Sequence, residues 1–221
     1  MRHRPDPANW LTDLPDETPI QRLSLPGTHR SASAAHQNWT IAEQLAHGVR
    51  FLDVDRVDDA VLSPCRTFLA AHPGELVLLR VRDRGPLSCD ELPPSLGAAR
   101  GRIVQLTDLE ADRDRFGVQD SLSTGPLEKK ALITAQFDEA RFQRGAERLH
   151  VNVTALAGGH SELVMPYVRA WLQARAEDPG PCGAVVMDFP DLYPSVVPDV
   201  IARNFAPRGA GSPVLSRSAH V

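Results

Sequence analysis

The chain is poor in aromatic residues and in cysteine. Phe, Trp and Tyr make up 5% of its 221 residues, so it lacks the many exposed rings that anchor a protein in a bilayer interface. Its three cysteines, Cys65, Cys89 and Cys182, are odd in number and widely separated. This spacing fits neither a disulfide framework nor a zinc site, so we expect structural thiols.

Long apolar runs and basic runs are also missing. No segment is long and apolar enough to span a membrane, and the basic residues at positions 1–7 are not followed by the apolar core of a signal peptide. As written, the sequence predicts a product that stays in the cytoplasm. The formal net charge is −4, and no run of Lys and Arg is interleaved with aromatics, which argues against nucleic acid as a partner.

Apolar, β-rich runs alternate with segments of helical periodicity along the chain. This alternation predicts an α/β fold with parallel strands and helical crossovers, although periodicity alone does not separate an open sheet from a closed barrel. Residues 206–221 are rich in Gly, Pro, Ser and Ala, so we expect one domain over 1–205 and a disordered tail. The candidate strands are 22–27, 49–54, 76–82, 102–106, 149–155 and 183–188, and the candidate helices are 39–47, 64–72, 127–146, 164–176 and 193–204.

The most informative local feature is Leu-Ser-Leu-Pro-Gly-Thr-His at residues 23–29. An apolar run ends in what we interpret as a Pro-Gly turn, which places His29 just past a strand. A histidine there can exchange protons near neutral pH, and α/β folds place reactive groups at strand ends. A turn histidine that caps backbone groups is the alternative interpretation.

Several segments in a fixed order are more specific than this one alone; they are 9–20, 23–29, 41–55, 68–79, 99–104 and 182–189. Together they resemble the catalytic X-domain of phosphatidylinositol-specific phospholipase C, particularly the compact bacterial type. The resemblance implies a distorted, incomplete TIM-type (β/α) barrel with its active site at the carboxyl ends of the strands. Because members of the family are commonly exported, it also leaves localisation open.

The resemblance also implies a reaction. In the family, the inositol 2-hydroxyl attacks the adjacent phosphorus, which gives a cyclic phosphate and releases diacylglycerol. By position, His29 matches the general base, and Asp188 matches the acid residue that orients it, as in the Asp and His half of a serine-protease triad. The alternative for Asp188 is a helix cap. The implied partner is a phosphoinositide or a related phosphodiester lipid, contacted transiently at a membrane surface by a monomer.

Two charges are exchanged relative to the family pattern. Bacterial members carry Asp directly after the first histidine, where this chain has Arg30, and metal-independent members carry Arg where this chain has Asp55. We expect an ion pair of reversed orientation, in which Arg30 reaches the phosphate as a bidentate donor. Asp53 and Asp55 as calcium ligands are the weaker alternative, because Arg30 would repel a divalent ion. No other cofactor is expected.

The family's second catalytic histidine has no counterpart. It lies in a His-Gly pair on a strand after the region of Asp53, and relative to that pattern a block is missing between Leu62 and Ser63. General acid catalysis is worth a factor of about 10²–10⁴, so we expect a weakened or inactive enzyme. His160, in a Gly-rich turn, is a candidate replacement, and an exposed loop histidine is the alternative. The second interpretation is a catalytically silent protein that binds phosphoinositide headgroups or a protein partner, and the third is a truncated gene product.

The resemblance places headgroup contacts at Arg82 and Asp120, with His160 nearby. Of the family's headgroup positions, Asp120 keeps the expected residue type, whereas Leu122 stands in place of an aromatic residue and Asp108 in place of a basic one. Recognition of plain inositol is therefore in doubt. The remaining histidines singled out are expected to be surface or capping residues; they are His36, His47 and His72.

Overall fold

In a computed structural model of the protein, the described residues form seven strands in one parallel sheet. The structure describes residues 5–83, 91–107, 109–142, 148–176 and 180–205. The strand order is β4-β3-β2-β1-β7-β6-β5, and the sheet curls toward a barrel. The barrel is incomplete, because within the described residues β4 does not pair with β5. The predicted fold class is confirmed. The strands are β1 (Leu25–Thr28), β2 (Phe51–Val54), β3 (Val77–Val81), β4 (Ile103–Leu106), β5 (Phe116–Gln119), β6 (Leu149–Val153) and β7 (Ala184–Met187).

Helices connect the strands, and each predicted strand and helix has a counterpart with different bounds, although residues 143–146 of the predicted helix 127–146 lie outside the described residues. The strands and α-helices that the sequence pattern missed are α3 and β5, in which small or polar residues such as Gly97 and Gln119 interrupt the apolar run. The helices are α1 (Ile41–Ala46), α2 (Asp59–Ala71), α3 (Leu96–Ala99), α4 (Pro126–Phe142), α5 (Met165–Ala174) and α6 (Val196–Ala202).

The predicted Pro-Gly turn is wrong, because Pro26 and Gly27 lie inside β1. This strand pairs with β2 on one side and β7 on the other. Pro26 cannot donate to the ladder, but its carbonyl accepts a hydrogen bond from the backbone N–H of Arg50 at 2.9 Å. Gly27 suits a close approach, since an added Cβ would lie 3.1 Å from the Cβ of Phe51. His29 is therefore the first residue beyond the strand.

Helix α2 begins five residues earlier than predicted, at Asp59 rather than at 64. The Asp58 carboxylate accepts a hydrogen bond from the backbone N–H of Val61 at 3.1 Å, which caps the helix upstream of Pro64. Pro64 thus lies inside the helix. Pro198, by contrast, falls in the first turn of α6, where its missing N–H has no helical partner to lose.

The two faces of the sheet carry different hydrophobic clusters. Leu52 and Leu79 pack with the residues of α1 and α2, whereas Phe51 and Leu78 belong to the larger cluster on the opposite, barrel-side face. Because side chains alternate along a strand, Asp53 lies on the barrel side with Phe51, and Arg80 lies there with Leu78. Both polar residues are near the carboxyl ends of their strands.

A buried ion pair lies at the amino ends of β2 and β3. Arg50 Nε donates to Glu75 Oε2 at 2.7 Å, and neither side chain is exposed. The guanidinium also donates to the carbonyls of Pro7 and Ala8, and Glu75 accepts from the backbone of Thr12 at 2.9 Å. Burial lowers the pKa of Arg50 from its ordinary value. The pair ties the N-terminal segment to the barrel.

Cys65 and Cys182 are buried and free, as expected of structural thiols, and burial raises the pKa of Cys65 to about 11. Cys89 lies outside the described residues, as does the predicted tail at 206–221, so the domain boundary stays a prediction. None of the described helices combines the length and the apolar character that a membrane crossing requires.

Candidate active site

His29 and Asp188 meet at one edge of the sheet. Thr28 of β1 is in register with Met187 of β7, so the next residue of each strand lies at the same carboxyl end. His29 Nδ1 donates to Asp188 Oδ1 at 2.9 Å, and both side chains are buried. The contact expected from the sequence is present. The other ring nitrogen of His29, Nε2, is buried and has no hydrogen-bond partner among the described residues.

The backbone turns sharply directly after each of these two residues. Arg30 has φ of +45° and Phe189 has φ of +46°, and they are the non-glycine residues with positive φ in the described part of the chain. Such a conformation costs about 1–3 kcal/mol and tends to occur at functional sites. The strain is therefore located where the chain leaves the strands beside the histidine and the carboxylate.

A second histidine binds the same carboxylate oxygen. His36 Nδ1 donates to Asp188 Oδ1 at 3.2 Å, and its ring packs edge-on against His29 with 4.9 Å between centroids. The prediction that His36 is a surface or capping residue is therefore wrong. Its side chain is 22% exposed, so it reaches solvent while holding a buried acid. No local sequence pattern marks it, because the contact depends on how an irregular loop folds back.

That loop, residues 30–40, which we call the covering loop, is held against the strand ends. The side-chain amide of Gln37 donates to the carbonyls of His29 at 2.7 Å and Met187 at 3.0 Å, and Phe189 N–H donates to the carbonyl of His36 at 3.0 Å. These hydrogen bonds hold the covering loop beside the buried His29.

The predicted ion pair between Arg30 and Asp55 is present. Arg30 Nη1 donates to Asp55 Oδ2 at 3.0 Å, and both side chains remain partly exposed. The two residues line a cavity of about 260 Å³ beside the covering loop, together with Ser33 and Asp58. A guanidinium at this rim can contact an anionic group without breaking up a buried network.

Arg82 and Asp120, predicted to contact the headgroup, lie in one charge network with Asp53. Arg82 donates to both carboxylate oxygens of Asp53, at 2.8 and 2.6 Å, and its Nη2 lies 3.1 Å from Asp120 Oδ2. Arg80, which the sequence interpretation missed, also donates to Asp120, at 2.8 Å, and to Glu110. The carboxylates weighed as calcium ligands, Asp53 and Asp55, are thus both engaged by arginines.

Lys129 is a further polar group that sequence reasoning missed. Its side chain is buried, and Nζ donates to Gln119 Oε1 at 3.1 Å and to the carbonyl of Ser121 at 2.8 Å. Burial lowers the pKa of Lys129 to about 8, and the charges of Asp120 and Asp188 oppose that shift. A signal was available, since the lysine shares the buried face of α4 with Ile133, Phe137 and Ala140.

The other predicted positions lie away from the His29 contact. His160 is 62% exposed, and its ring nitrogen lies 3.3 Å from Glu162, as the loop-histidine alternative holds. His47 is exposed and stacks on Trp39, and His72 ends α2, so both fit the expected surface and capping roles. Leu122 packs against the barrel-side cluster, whereas Asp108 lies outside the described residues.

One compact group of possible metal donors occurs in the described parts of the chain. It consists of His29, His36 and Asp188, whose donor atoms lie within 4.8 Å of one another. The two nitrogen–oxygen distances are those of ordinary hydrogen bonds. We therefore interpret these residues as a hydrogen-bonded triad, and we call it the His-Asp-His triad.

Solved structures share this arrangement of strands. Phosphatidylinositol-specific phospholipase C from Listeria monocytogenes matches with a TM-score of 0.77 and 17% identity, over 90% of this chain and 98% of that chain. This chain has the fold of bacterial phosphatidylinositol-specific phospholipase C. A mutant of the phospholipase from Staphylococcus aureus matches with a TM-score of 0.72 and 15% identity, over 90% of this chain and 98% of that one.

A sequence relative agrees with this phospholipase fold. The 1-phosphatidylinositol phosphodiesterase of Listeria monocytogenes is 28% identical in a match that covers 34% of this chain and 32% of the relative. The chain thus matches about a third of the length of this curated relative. No family model matches. The resemblance identified in the sequence is confirmed.

The point between Leu62 and Ser63, where the sequence predicts a missing block, lies inside the continuous helix α2, and a short connection precedes this helix. β2 ends at Val54 and α2 begins at Asp59, and the four residues between them contain neither a strand nor a histidine. That a catalytic segment has been lost relative to the family stays a prediction.

Proposed function

We propose that this protein is a phosphodiesterase of the phosphatidylinositol-specific phospholipase C type. It cleaves an inositol phosphodiester by attack of the 2-hydroxyl on phosphorus, which forms a cyclic phosphate and releases diacylglycerol. The observation that carries the proposal is the hydrogen bond of 2.9 Å between His29 and Asp188 at adjacent strand ends. The fold and the sequence relative support it.

Asp188 acts on the base through one ring nitrogen. By accepting the Nδ1 proton of His29, the carboxylate fixes the tautomer whose lone pair is on Nε2, and Nε2 then takes the proton of the attacking hydroxyl. In serine proteases, replacing the corresponding Asp by Asn costs a factor of about 10⁴. We therefore assign His29 as general base and Asp188 as its positioning residue.

Arg30 supplies positive charge for the phosphoryl oxygens. It follows the base directly, is held by Asp55 at 3.0 Å, and lines a cavity whose lining residues do not include His29. A planar guanidinium binds phosphate with two parallel hydrogen bonds, which stabilises the charge that develops in the transition state. This role needs no metal ion. The proposed substrate is a phosphoinositide or a related phosphodiester lipid. The protein binds it as a monomer, in transient contact with a membrane surface.

A catalytically silent protein that binds phosphoinositide headgroups is the second candidate. It is favoured by the burial of His29 Nε2 under the covering loop. In this case the same rim, with Arg30, would bind the headgroup without turnover.

Release of water-soluble inositol phosphate from vesicles of phosphatidylinositol and phosphatidylcholine tests the proposal. Wild type should release it equally well with EDTA and with Ca²⁺, His29→Ala should lose the activity, and His47→Ala, which changes an exposed histidine, should keep it. Turnover that survives His29→Ala overturns the mechanism. Vesicle binding without any turnover in wild type favours the silent protein instead.

A further inference from the structure

We propose that His36 is the general acid of this reaction, in place of a histidine from a second strand. The inference rests on the proposed function. It assigns a residue to the protonation of the leaving oxygen, a step for which that function names none. It starts from the shared carboxylate oxygen, because Asp188 Oδ1 accepts from Nδ1 of His29 at 2.9 Å and from Nδ1 of His36 at 3.2 Å.

The shared carboxylate gives the two rings the same orientation toward the acid. In each, Nδ1 is committed to Asp188, so Nε2 is the atom left for substrate. The rings lie 4.9 Å apart at an interplanar angle of 77°, so the edge of one ring meets the face of the other. Two imidazoles anchored side by side in this way can serve the attacking and the leaving oxygen of one phosphodiester.

Exposure and charge separate the roles of the two rings. His29 is buried, whereas the side chain of His36 is 22% exposed and can exchange a proton with water between turnovers. One buried carboxylate offsets the charge of one imidazolium, whereas two charged rings so close together would repel each other. The triad thus suits one neutral ring, His29, and one protonated ring, His36.

The proton transfers of the cleavage step balance. The proton of the inositol 2-hydroxyl moves to His29 Nε2 while the bond from the 2-oxygen to phosphorus forms. The bond from phosphorus to the glycerol oxygen breaks, and that oxygen takes the proton from His36 Nε2. The products are the cyclic phosphate and diacylglycerol, and exchange with water returns both rings to their starting states.

Other described side chains are placed less well for this role. His160 contacts Glu162 and is mostly exposed, and its described contacts include neither His29 nor Asp188. Lys129 Nζ is occupied by Gln119 and the carbonyl of Ser121. His36 is also fixed by the backbone, since Phe189 N–H donates to its carbonyl at 3.0 Å.

The test compares two substrates that differ in their leaving group. From phosphatidylinositol the leaving group is the diacylglycerol alkoxide, which needs a proton, whereas from a 4-nitrophenyl ester of inositol 1-phosphate it is 4-nitrophenolate, which is stable without one. The variants are His36→Ala and His36→Gln, with His47→Ala as the matched control and His160→Ala as the rival. The kcat of each is measured on both substrates, and thermal unfolding checks that each variant is folded.

We expect His36→Ala and His36→Gln to lower kcat on phosphatidylinositol by about 10²–10⁴ while changing kcat on the nitrophenyl ester by less than about 10-fold. His47→Ala should match wild type on both. Equal losses on both substrates, or a leaving-group-dependent loss in His160→Ala instead, would overturn the role of His36 and leave the proposed function standing. A wild type that cleaves neither substrate overturns both proposals.

Discussion

Arg30 and Asp55 face each other across the carboxyl ends of β1 and β2, with 3.0 Å between Nη1 and Oδ2. Because the two side chains are 40% and 47% exposed, the pair should contribute less than about 1 kcal/mol to stability. Arg30→Ala should therefore leave the urea unfolding midpoint almost unchanged. Its kcat on phosphatidylinositol should fall by about 10²–10³, the usual cost of removing one group that stabilises developing charge.

Arg66→Ala is the control for the Arg30 variant. Arg66 is an exposed arginine on α2, so this change removes the same charge from the protein surface. It should keep the wild-type kcat. If both variants lose activity to the same extent, the effect comes from general attraction to the membrane and the assigned role of Arg30 is wrong.

Lys129 should make stability depend on pH. Burial lowers its pKa to about 8, whereas the unfolded chain has the ordinary value of 10.5. From pH 8 to about 10 the unfolded chain therefore holds a proton that the folded protein has lost, and the free energy of unfolding rises with pH. Below this window, where both states are protonated, the cost of burying the charge remains.

The comparison is with Lys129→Met, measured by urea unfolding at about pH 7 and about pH 10. We take the free energy of unfolding of Lys129→Met minus that of wild type at each pH. This difference should be about 2 kcal/mol more favourable to the variant at the lower pH than at the higher pH. Lys130→Met, at the neighbouring position of α4, controls for the loss of one lysine. A difference between Lys129→Met and wild type that stays constant with pH contradicts the lowered pKa.

The buried pair of Arg50 and Glu75 should dominate the stability of the barrel's amino-terminal side. Neither side chain is exposed, so Glu75→Gln leaves a buried guanidinium without its counter-charge. We expect a loss of about 3–5 kcal/mol in the free energy of unfolding, measured with urea. The double variant Arg50→Met with Glu75→Leu should recover part of that loss, because it removes both charges together. A loss below about 1 kcal/mol in Glu75→Gln would contradict this account.

The sequence predicted the parts of the site that lie on regular structure. His29 and Asp188 each follow an apolar run, and runs that form neighbouring parallel strands end at the same edge of a sheet. The order of the runs alone did not establish that β1 and β7 are neighbours. The resemblance to the phospholipase family supplied that step. Within β1, the Pro-Gly pair was misread because such pairs usually mark turns.

Residues on irregular or mixed surfaces were harder to predict. His36 and Asp188 are 152 positions apart, and their contact depends on the hydrogen bonds that hold the covering loop to the strand ends. The headgroup role of Arg82 stays a prediction, and the sequence did not show that this residue is shared between Asp53 and Asp120. Which arginine pairs with a given carboxylate depends on which side chains the curled sheet brings together.

The amino-acid sequence by itself determined the alternation of strands and helices and the residues that stand at strand ends. Both follow from local periodicity, since the spacing of apolar side chains decides which positions face a core. The tertiary structure alone decided that one buried carboxylate is shared by two imidazoles. It also decided that Lys129 is buried near enough to acidic groups for their charge to affect its pKa. Those contacts join distant parts of the chain, and their chemistry depends on distances and burial that no local pattern contains.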